Sequence, residues 1–472
     1  MASMLKRMIP AILATALLEG FGTGLAPLWP LAWLAPMPMM LFALEAGALV
    51  TAAASFVAWF AGAFTLWHYF HDVIRLPIAV PFVIFTTMSV VFTLTVLLFR
   101  ALMRRGAVWA ALFGPAALWV TAEYINSLTS VHGTNGALAY SQLDFLPILQ
   151  LASLTGPWGI SFVLLLTSAA LAIGIGRFRE RGARLVAGVG LAIAIVAVAF
   201  GTARLAEPQG GERIKVGLLA SDANGNAGVA EDGESAAKLL AAYAEQVGPM
   251  AEQGVQVVVM PEKIAVILGQ NDKADAILQE TADRTGVQIV AGMVRVEGGE
   301  KFNEARLYTP NAPRMAYDKQ HMLPPFESDL KPGVALALQQ KMDTIWGLAI
   351  CKDMDFTNPA GLYGAAGVGL LLVPAWDFVA DAWAHGHLAI MRGVEGGYAI
   401  VRSAKQGFLY VSDDRGRVLA ESTSWSSPFG AVMTMAPTGH EPTLYLRFGD
   451  WMAWLSILLA GLAVVRLFIG RR

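Results

Sequence analysis

Apolar residues run almost unbroken from the start of the chain to about residue 204, give way to a stretch rich in Asp, Glu and Lys, and return over about 451–469. Segments separated by short polar breaks span 9–26, 28–46, 48–70, 78–99, 107–125, 157–176 and 184–204, and an eighth spans 450–469. Each is near the roughly 20 residues that a helix needs to cross a ~30 Å hydrocarbon layer. The pattern predicts an α-helical membrane bundle of eight transmembrane helices, seven in 1–204 and one in 450–472, around a polar domain at 205–449. The second segment, with Pro27, Pro30, Pro36 and Pro38, is the least regular and is expected to begin as a broken or re-entrant piece. Lys6 and Arg7 before an apolar run imitate a signal peptide, but Glu19 and the lack of a small-residue cleavage pattern favour a retained helix.

The polar interval changes period. Arg213 to Ala220 (RIKVGLLA) is β-rich, Ser235 to Met250 has helical spacing, and Val255 to Met260 (VQVVVM) reads as a buried strand that ends at Pro261-Glu262. A helix over Ala274 to Thr285 follows, then strands over Val287 to Arg295, Ala305 to Thr309, Thr344 to Ile350, Gly369 to Pro374 and Gly397 to Ser403. Such alternation predicts a layered α/β domain with helices on the outer faces. Active groups in such domains gather at strand ends, and Glu262, Cys351 and Trp376 all come just after a strand.

Charge supplies an orientation. Lys6 and Arg7, then Arg100, Arg104 and Arg105, then Arg177, Arg179, Arg181 and Arg184, then Arg471 and Arg472 fall on one side if the eight segments alternate, which makes that side cytoplasmic. An odd number of crossings then places 205–449 outside the cytoplasm, in the periplasm of a bacterium with two membranes, with both termini cytoplasmic. Composition agrees with a chain partly solvated by lipid: 56% hydrophobic, 15% charged, mean hydropathy +0.53. A formal net charge of −2 without a clustered basic excess argues against a nucleic-acid partner.

Cys351 is the only cysteine. It ends the apolar run Ile345-Trp346-Gly347-Leu348-Ala349-Ile350, directly before Lys352-Asp353, where a strand would hand a nucleophile to the mouth of a sheet. A lone cysteine is more often a small buried hydrophobe. Here Met260-Pro261-Glu262 and Tyr317-Asp318-Lys319 can supply a carboxylate to take the thiol proton and an ammonium to favour the thiolate and stabilise a tetrahedral oxyanion. The structural alternatives are a helix cap or ion-pair partner for Glu262 and a solvated loop residue for Lys319. His321 is expected to order its loop. His385 and His387, at the i, i+2 spacing of one face of a strand, lack Cys, Asp or Glu at ligand spacing, so no metal is expected. Tyr363, Trp376, Phe378 and Trp383 are either core or the lining of a lipid-facing mouth, the last three on mobile cover loops.

The segments MPEK (260–263), YDKQHMLPPFE (317–327) and AICKDMDF (349–356), in the order Glu, Lys, Cys, resemble the nitrilase or carbon–nitrogen hydrolase superfamily. HLAIMRGVEGGYAIVRSAKQGFLYVSDDRGRV (387–418) looks like its helix-strand-strand closing segment. Seven membrane segments before such a domain and one after resemble the apolipoprotein N-acyltransferase family, as do WVTAEYINS (119–127) and GALAYSQLDFLPILQLASLTGPWGISF (136–162). The resemblance implies a nitrilase-like αββα domain, a Glu262–Lys319–Cys351 triad and a supporting carboxylate at Glu327. It also implies ping-pong transfer of an acyl chain from a phospholipid, through a Cys351 thioester, to the α-amine of a lipoprotein diacylglyceryl-cysteine, without a cofactor. A monomer in the inner membrane is expected.

The chain departs from the family pattern in four places. Lys352 and Asp353 follow the cysteine where an aromatic and a glutamate are usual; Asp353 can stand in for the acid, while Lys352 puts a charge at an aromatic position. Lys263 follows Glu262, PPFESD replaces the usual PFGE, and Asn135-Gly136-Ala137 stands before the YSQ element in place of an aromatic-proline pair. Two other readings therefore stay open: a membrane-anchored amidase or thioesterase with water as acceptor, and a non-enzymatic scaffold or transporter. The last is disfavoured by the retained triad and by the few ionisable residues in the apolar segments, chiefly Glu19, Glu45 and Glu123.

Overall fold

A computed structural model describes residues 2–209, 211–269, 272–341, 343–426 and 428–469; Arg471 and Arg472, which enter the charge pattern, lie outside the described residues. Two compact units emerge: 1–130, 134–207 and 447–472 form one, and 131–133 with 208–446 form the other.

The first unit is a helical bundle. Among the described residues five helices are long and apolar enough to cross a membrane: Ala48–Leu66, Ala79–Arg104, Val108–Thr129, Pro157–Gly176 and Arg181–Ala206. The other three expected segments fall short for separate reasons. Prolines break 28–46 into Trp29–Ala32 and Met37–Glu45, too short at about 1.5 Å per residue to cross the hydrocarbon layer. Trp451–Val465 has only 15 residues. Ala2–Gly22 is long enough but carries Lys6, Arg7 and Glu19. Pro157–Gly176 is apolar on every side and accordingly buried, packed against Val108–Thr129 and Arg181–Ala206. Small residues permit such closeness: a Cβ on Gly190 would meet Ala170 of Pro157–Gly176, and one on Gly114 would meet Ala463 of Trp451–Val465.

The second unit is an α/β sandwich of two sheets. The first runs Gly430–Pro437, Arg213–Ala220, Val257–Val259, Gln288–Glu297, Glu300–Tyr308, Met315–Asp318, with Ala265–Leu268 and Leu330–Lys331 added beside Gln288–Glu297 and Glu300–Tyr308. The second runs Val418–Thr423, Phe408–Ser412, Ala399–Lys405, Val368–Trp376, Thr344–Leu348, Ala337–Lys341. Each has a parallel centre, Arg213–Ala220 with Val257–Val259 and Gln288–Glu297 in one, Thr344–Leu348 with Val368–Trp376 and Ala399–Lys405 in the other. These strands are buried nearly throughout, as strands covered on both faces must be.

The sheets pack face to face, and a helix pair covers each outer side: Gly233–Glu252 with Lys273–Thr285 on the first, Thr357–Ala365 with Ala382–Gly396 on the second. Local chemistry sets the helix ends. Asp232 caps Gly233–Glu252 by accepting from Ser235 N at 2.8 Å, and Asp272 caps Lys273–Thr285 by accepting from Ala274 N at 2.7 Å. The second of these stops at Gly286, in the left-handed region at φ 71°. The closing segment is the expected helix-strand-strand, Ala382–Gly396, Ala399–Lys405 and Phe408–Ser412. The layered α/β class follows the alternation read from the chain; several polar-faced strands, Ala337–Lys341 and Val418–Thr423 among them, have no apolar period to announce them.

Candidate active site

The parallel strands deliver Glu262 and Cys351 past their carboxyl ends, where an open α/β sheet presents its ligand sites. Glu262 leaves Val257–Val259 through Met260-Pro261, and its N–H donates to Ala375 O at 3.1 Å, which ties the turn of one sheet to a strand of the other. The turn lies so close to Gln288–Glu297 that a Cβ on Gly292 would come within 2.5 Å of Glu262 Cα. Lys319 follows Met315–Asp318 and is pinned through its backbone: its N–H donates to Asn303 O and its carbonyl accepts from Gly333 N, both at 2.8 Å.

These side chains form one buried cluster. Lys319 Nζ donates to Glu262 Oε1 at 2.9 Å and to Glu327 Oε2 at 2.8 Å. Asn303 Nδ2 bridges the same two carboxylates at 2.5 and 2.8 Å, while Lys263 Nζ reaches Glu327 Oε1 at 2.6 Å and Leu323 N donates to Glu327 Oε2 at 2.8 Å. Burial opposes the charge on Lys319, but Glu262 and Glu327 hold its ammonium well above the ordinary lysine range. Burial likewise opposes ionisation of Glu327, and Lys319 and Lys263 overcome it to bring that carboxyl down to about 2. Lys319 is thus no solvated loop residue, and Lys263 is an internal partner of Glu327 and of the Trp376 ring, 5.2 Å away.

Cys351 opens the turn Cys351–Asp355 after Thr344–Leu348, with φ at 38°. A non-glycine residue takes that left-handed conformation only where its surroundings impose it. Asp353 is much of that surrounding: its buried carboxylate accepts from Ile350 N at 3.1 Å and Tyr317 OH at 2.8 Å, and from the backbone N–H groups of Gln320 and His321 at 3.1 and 2.9 Å. Asp353 therefore straps the Cys351 turn to the loop carrying Lys319, and His321 orders that loop by stacking on Phe356 at 3.7 Å. The Cys351 thiol donates to Trp376 O at 3.4 Å. Lys319 does favour the thiolate, as does His385, but burial and then the Glu262 charge outweigh them and push the thiol up to about 12.

A second charged group lies beside the thiol. Cys351 Sγ, a carboxylate oxygen of Asp377 and a ring nitrogen of His385 all fall within 4.8 Å of one another. His385 Nε2 is 3.2 Å from Asp355 Oδ1 and Nδ1 is 3.3 Å from Asp377 Oδ1. Arg402 engages both oxygens of Asp377 at 2.5 and 2.8 Å, so a cation placed there would meet a guanidinium already holding the carboxylate. Lys352 Nζ donates to Asp355 Oδ2 at 3.0 Å and to His132 Nδ1 at 2.9 Å.

Several sequence expectations are corrected. His385 and His387 sit on the helix Ala382–Gly396, not on a strand, so their i, i+2 spacing sends them apart: His387 Nε2 pairs with Glu421 at 3.0 Å and stacks on Trp383 at 5.0 Å. Tyr363 is core: fully buried, it donates to Leu348 O beneath the nucleophile strand. Trp376 is half-buried with the Lys405 ammonium 3.8 Å above its ring, Phe378 lies 5.5 Å from Phe326, and Trp383 is partly exposed. Lys352 is 1% exposed and cannot contact a lipid head group from the surface.

Sequence reasoning missed Asn303, Asp355, Asp377, Arg402 and His132 altogether. Asp377 and Asp355 stand beside Trp376 and Lys352, so a search for polar residues next to strand-end positions would have reached them; His132 lies more than two hundred residues from its partner and gives no such signal.

Comparison with known proteins extends over most of the chain. Residues 16–170 match a family model described as the apolipoprotein N-acyltransferase N-terminal domain, and residues 220–447 match carbon-nitrogen hydrolase. The chain is 26% identical over 393 residues to an apolipoprotein N-acyltransferase of Geobacter metallireducens, covering 75% of this chain and 73% of that protein. It is 25% identical over 401 residues to one from Nitrosomonas europaea, covering 78% and 77%. Among solved structures, Saccharomyces cerevisiae Nit3, a member of branch 10 of the nitrilase superfamily, is similar at 18% identity and a TM-score of 0.41 over 47% of this chain and 90% of that one. A membrane-type family model followed by a hydrolase model, with relatives that span both, is an arrangement neither match gives singly: the chain belongs to the apolipoprotein N-acyltransferase family, the membrane-embedded branch of the carbon–nitrogen hydrolase superfamily.

Proposed function

We propose that this protein is an N-acyltransferase that moves an acyl chain from a phospholipid through a Cys351 thioester to the α-amine of a diacylglyceryl-cysteine at the start of a lipoprotein. The observation that carries the reading is the buried Glu262–Lys319–Glu327 cluster at the strand ends that also present Cys351. In the first half, Cys351 Sγ bonds to the ester carbonyl carbon as its proton passes to Glu262. Lys319 stabilises the oxyanion, a contribution worth roughly a hundredfold in rate. The carbonyl–oxygen bond of the ester breaks, and Glu262 returns the proton to the departing lysophospholipid alcohol. In the second half the neutral amine attacks the thioester, Glu262 takes one amine proton, the carbon–sulfur bond breaks and the sulfur regains a proton. With the thiol protonated at rest, proton removal accompanies attack.

Glu327 keeps Lys319 charged and oriented, and Asp353 holds the turn. Trp376 at a strand end, Phe378 and the helical Trp383 border the entrance, and the connection 377–381 acts as its cover. The polar domain at 205–449 works on the periplasmic side of a bacterial inner membrane, with both termini cytoplasmic; the clustering of basic residues in alternate loops supports this orientation. The test is intact mass spectrometry of purified protein incubated with phospholipid. The expected result is a gain of one acyl chain, absent in Cys351→Ser and discharged by a diacylglyceryl peptide; discharge by water alone at the same rate would sink the transferase reading in favour of a hydrolase.

A further inference from the structure

The triad uses one flank of Cys351. On the other, buried charges alternate in a row: Arg402, Asp377, His385, Asp355, Lys352. Beyond Lys352 stands His132, which burial and then the Lys352 charge push down to about 4, so it receives the lysine proton as a neutral ring. The row has three positions that can be cationic and two carboxylates. Arg402 balances Asp377 and Lys352 balances Asp355, so a charge on His385 is the uncompensated one. The group that would compensate it is a thiolate at Cys351, within 4.8 Å. His385 Nδ1 is buried and makes no hydrogen bond.

The groups around His385 come from every neighbouring element: Cys351 and Asp355 from the nucleophile turn, Asp377 from the end of Val368–Trp376 with Arg402 behind it, and His132 and Lys352 beyond Asp355. At the N-cap of its own helix, Asp381 accepts from His385 N through its backbone carbonyl. Burial opposes its charge, but Asp355 and the Cys351 sulfur hold its imidazole well above the ordinary histidine range.

We infer that His385 is a second cationic partner of Cys351: a fixed imidazolium that stabilises the sulfur whenever it carries negative charge, with Asp355 and Asp377 as positioning residues that keep it charged and aligned. Lys352 then belongs to the same device, because it occupies the far oxygen of Asp355. His385 keeps its proton throughout, and the thiol proton still goes to Glu262. The inference rests on Cys351 being the acyl-accepting nucleophile.

Two measurements on the full-length protein in detergent separate the two ideas: iodoacetamide alkylation of Cys351 against pH, followed by intact mass, and acylation by phosphatidylethanolamine micelles. In His385→Gln the alkylation midpoint is expected to rise by about one pH unit, and acylation to slow about tenfold to a hundredfold with KM for the phospholipid unchanged. In Asp355→Asn the imidazolium loses its nearest counter-charge. Its folded pKa falls, so the cation is lost at lower pH and the alkaline limb of acylation moves down. Wild-type alkylation behaviour in His385→Gln overturns the inference and leaves the acyl-enzyme reading standing. Should His385→Gln lose its thermal transition, an unmoved alkaline limb in Asp355→Asn overturns it instead. Wild-type protein that alkylates at Cys351 but never takes an acyl chain defeats the acyl-enzyme reading, and the alkylation midpoint alone then decides on His385.

Discussion

Cys351 lies between two buried charge clusters built on the same plan and suited to different tasks. On one side Lys319 sits between Glu262 and Glu327; on the other His385 sits between Asp355 and Asp377. Both place a cation between two carboxylates so that burial cannot neutralise it. In the first, Lys319 is shared between Glu262 and Glu327, and Lys263 stands behind Glu327 alone. In the second, Arg402 stands behind Asp377 and Lys352 behind Asp355, and despite burial Asp355 is held well below the usual range and Asp377 below it. On the proposed mechanism the difference would separate a flank that moves protons from one that fixes charge.

The largest effect that tests this division is expected from Glu262→Gln, which removes the proton acceptor. Acylation measured by intact mass should fall about a thousandfold, and a fall under tenfold would place the proton elsewhere. Lys352→Met leaves Asp355 buried without its cation. Thermal or denaturant unfolding should show a loss of about 3–5 kcal/mol, most of it recovered in Lys352→Met with Asp355→Asn because the pair then leaves together. No recovery would mean that Lys352 acts through packing.

Glu327 gives a smaller, pH-resolved effect. Its folded carboxyl, at about 2, is depressed, so its stabilisation is present above the unfolded value near ~4.3 and is lost as pH falls from there toward 2, a contribution of about 2–3 kcal/mol. Glu327→Gln should flatten stability against pH in that window alone. The smallest change is expected from His321→Ala, which removes the stack on Phe356. It should cost about 1 kcal/mol of stability and leave the pH profile of acylation in place; a shifted profile would show that the strap through Asp353 transmits more than position.

Legibility follows the same line. Glu262, Lys319 and Cys351 could be singled out because each closes or follows a strand in a recognisable segment, and Glu327 because it lies eight residues past Lys319 in the same loop. The second cluster draws its members from a loop at 131–133, the nucleophile turn, the end of one strand and the middle of another, so no window of sequence contains it. Misplacing His385 and His387 on a strand had a related cause. Ala382–Gly396 opens with Trp383, His385 and His387 in alternation, a period-2 start to a helix whose apolar face appears only from Leu388 onward. Tyr363 was ambiguous because a tyrosine near a site has the same composition whether it faces the cavity or the core.

What the sequence determined by itself is the alternation of apolar and polar stretches and the one thiol that the chain offers. Hydrophobic length and period are local properties, and with one cysteine there was nothing to choose between. What only the tertiary structure decided is which charges surround that thiol and where Lys352 lies. A pKa depends on burial and on charges within a few ångströms, and the groups that set it, from Glu262 to His385, are brought there by two sheets whose strands lie far apart in the chain.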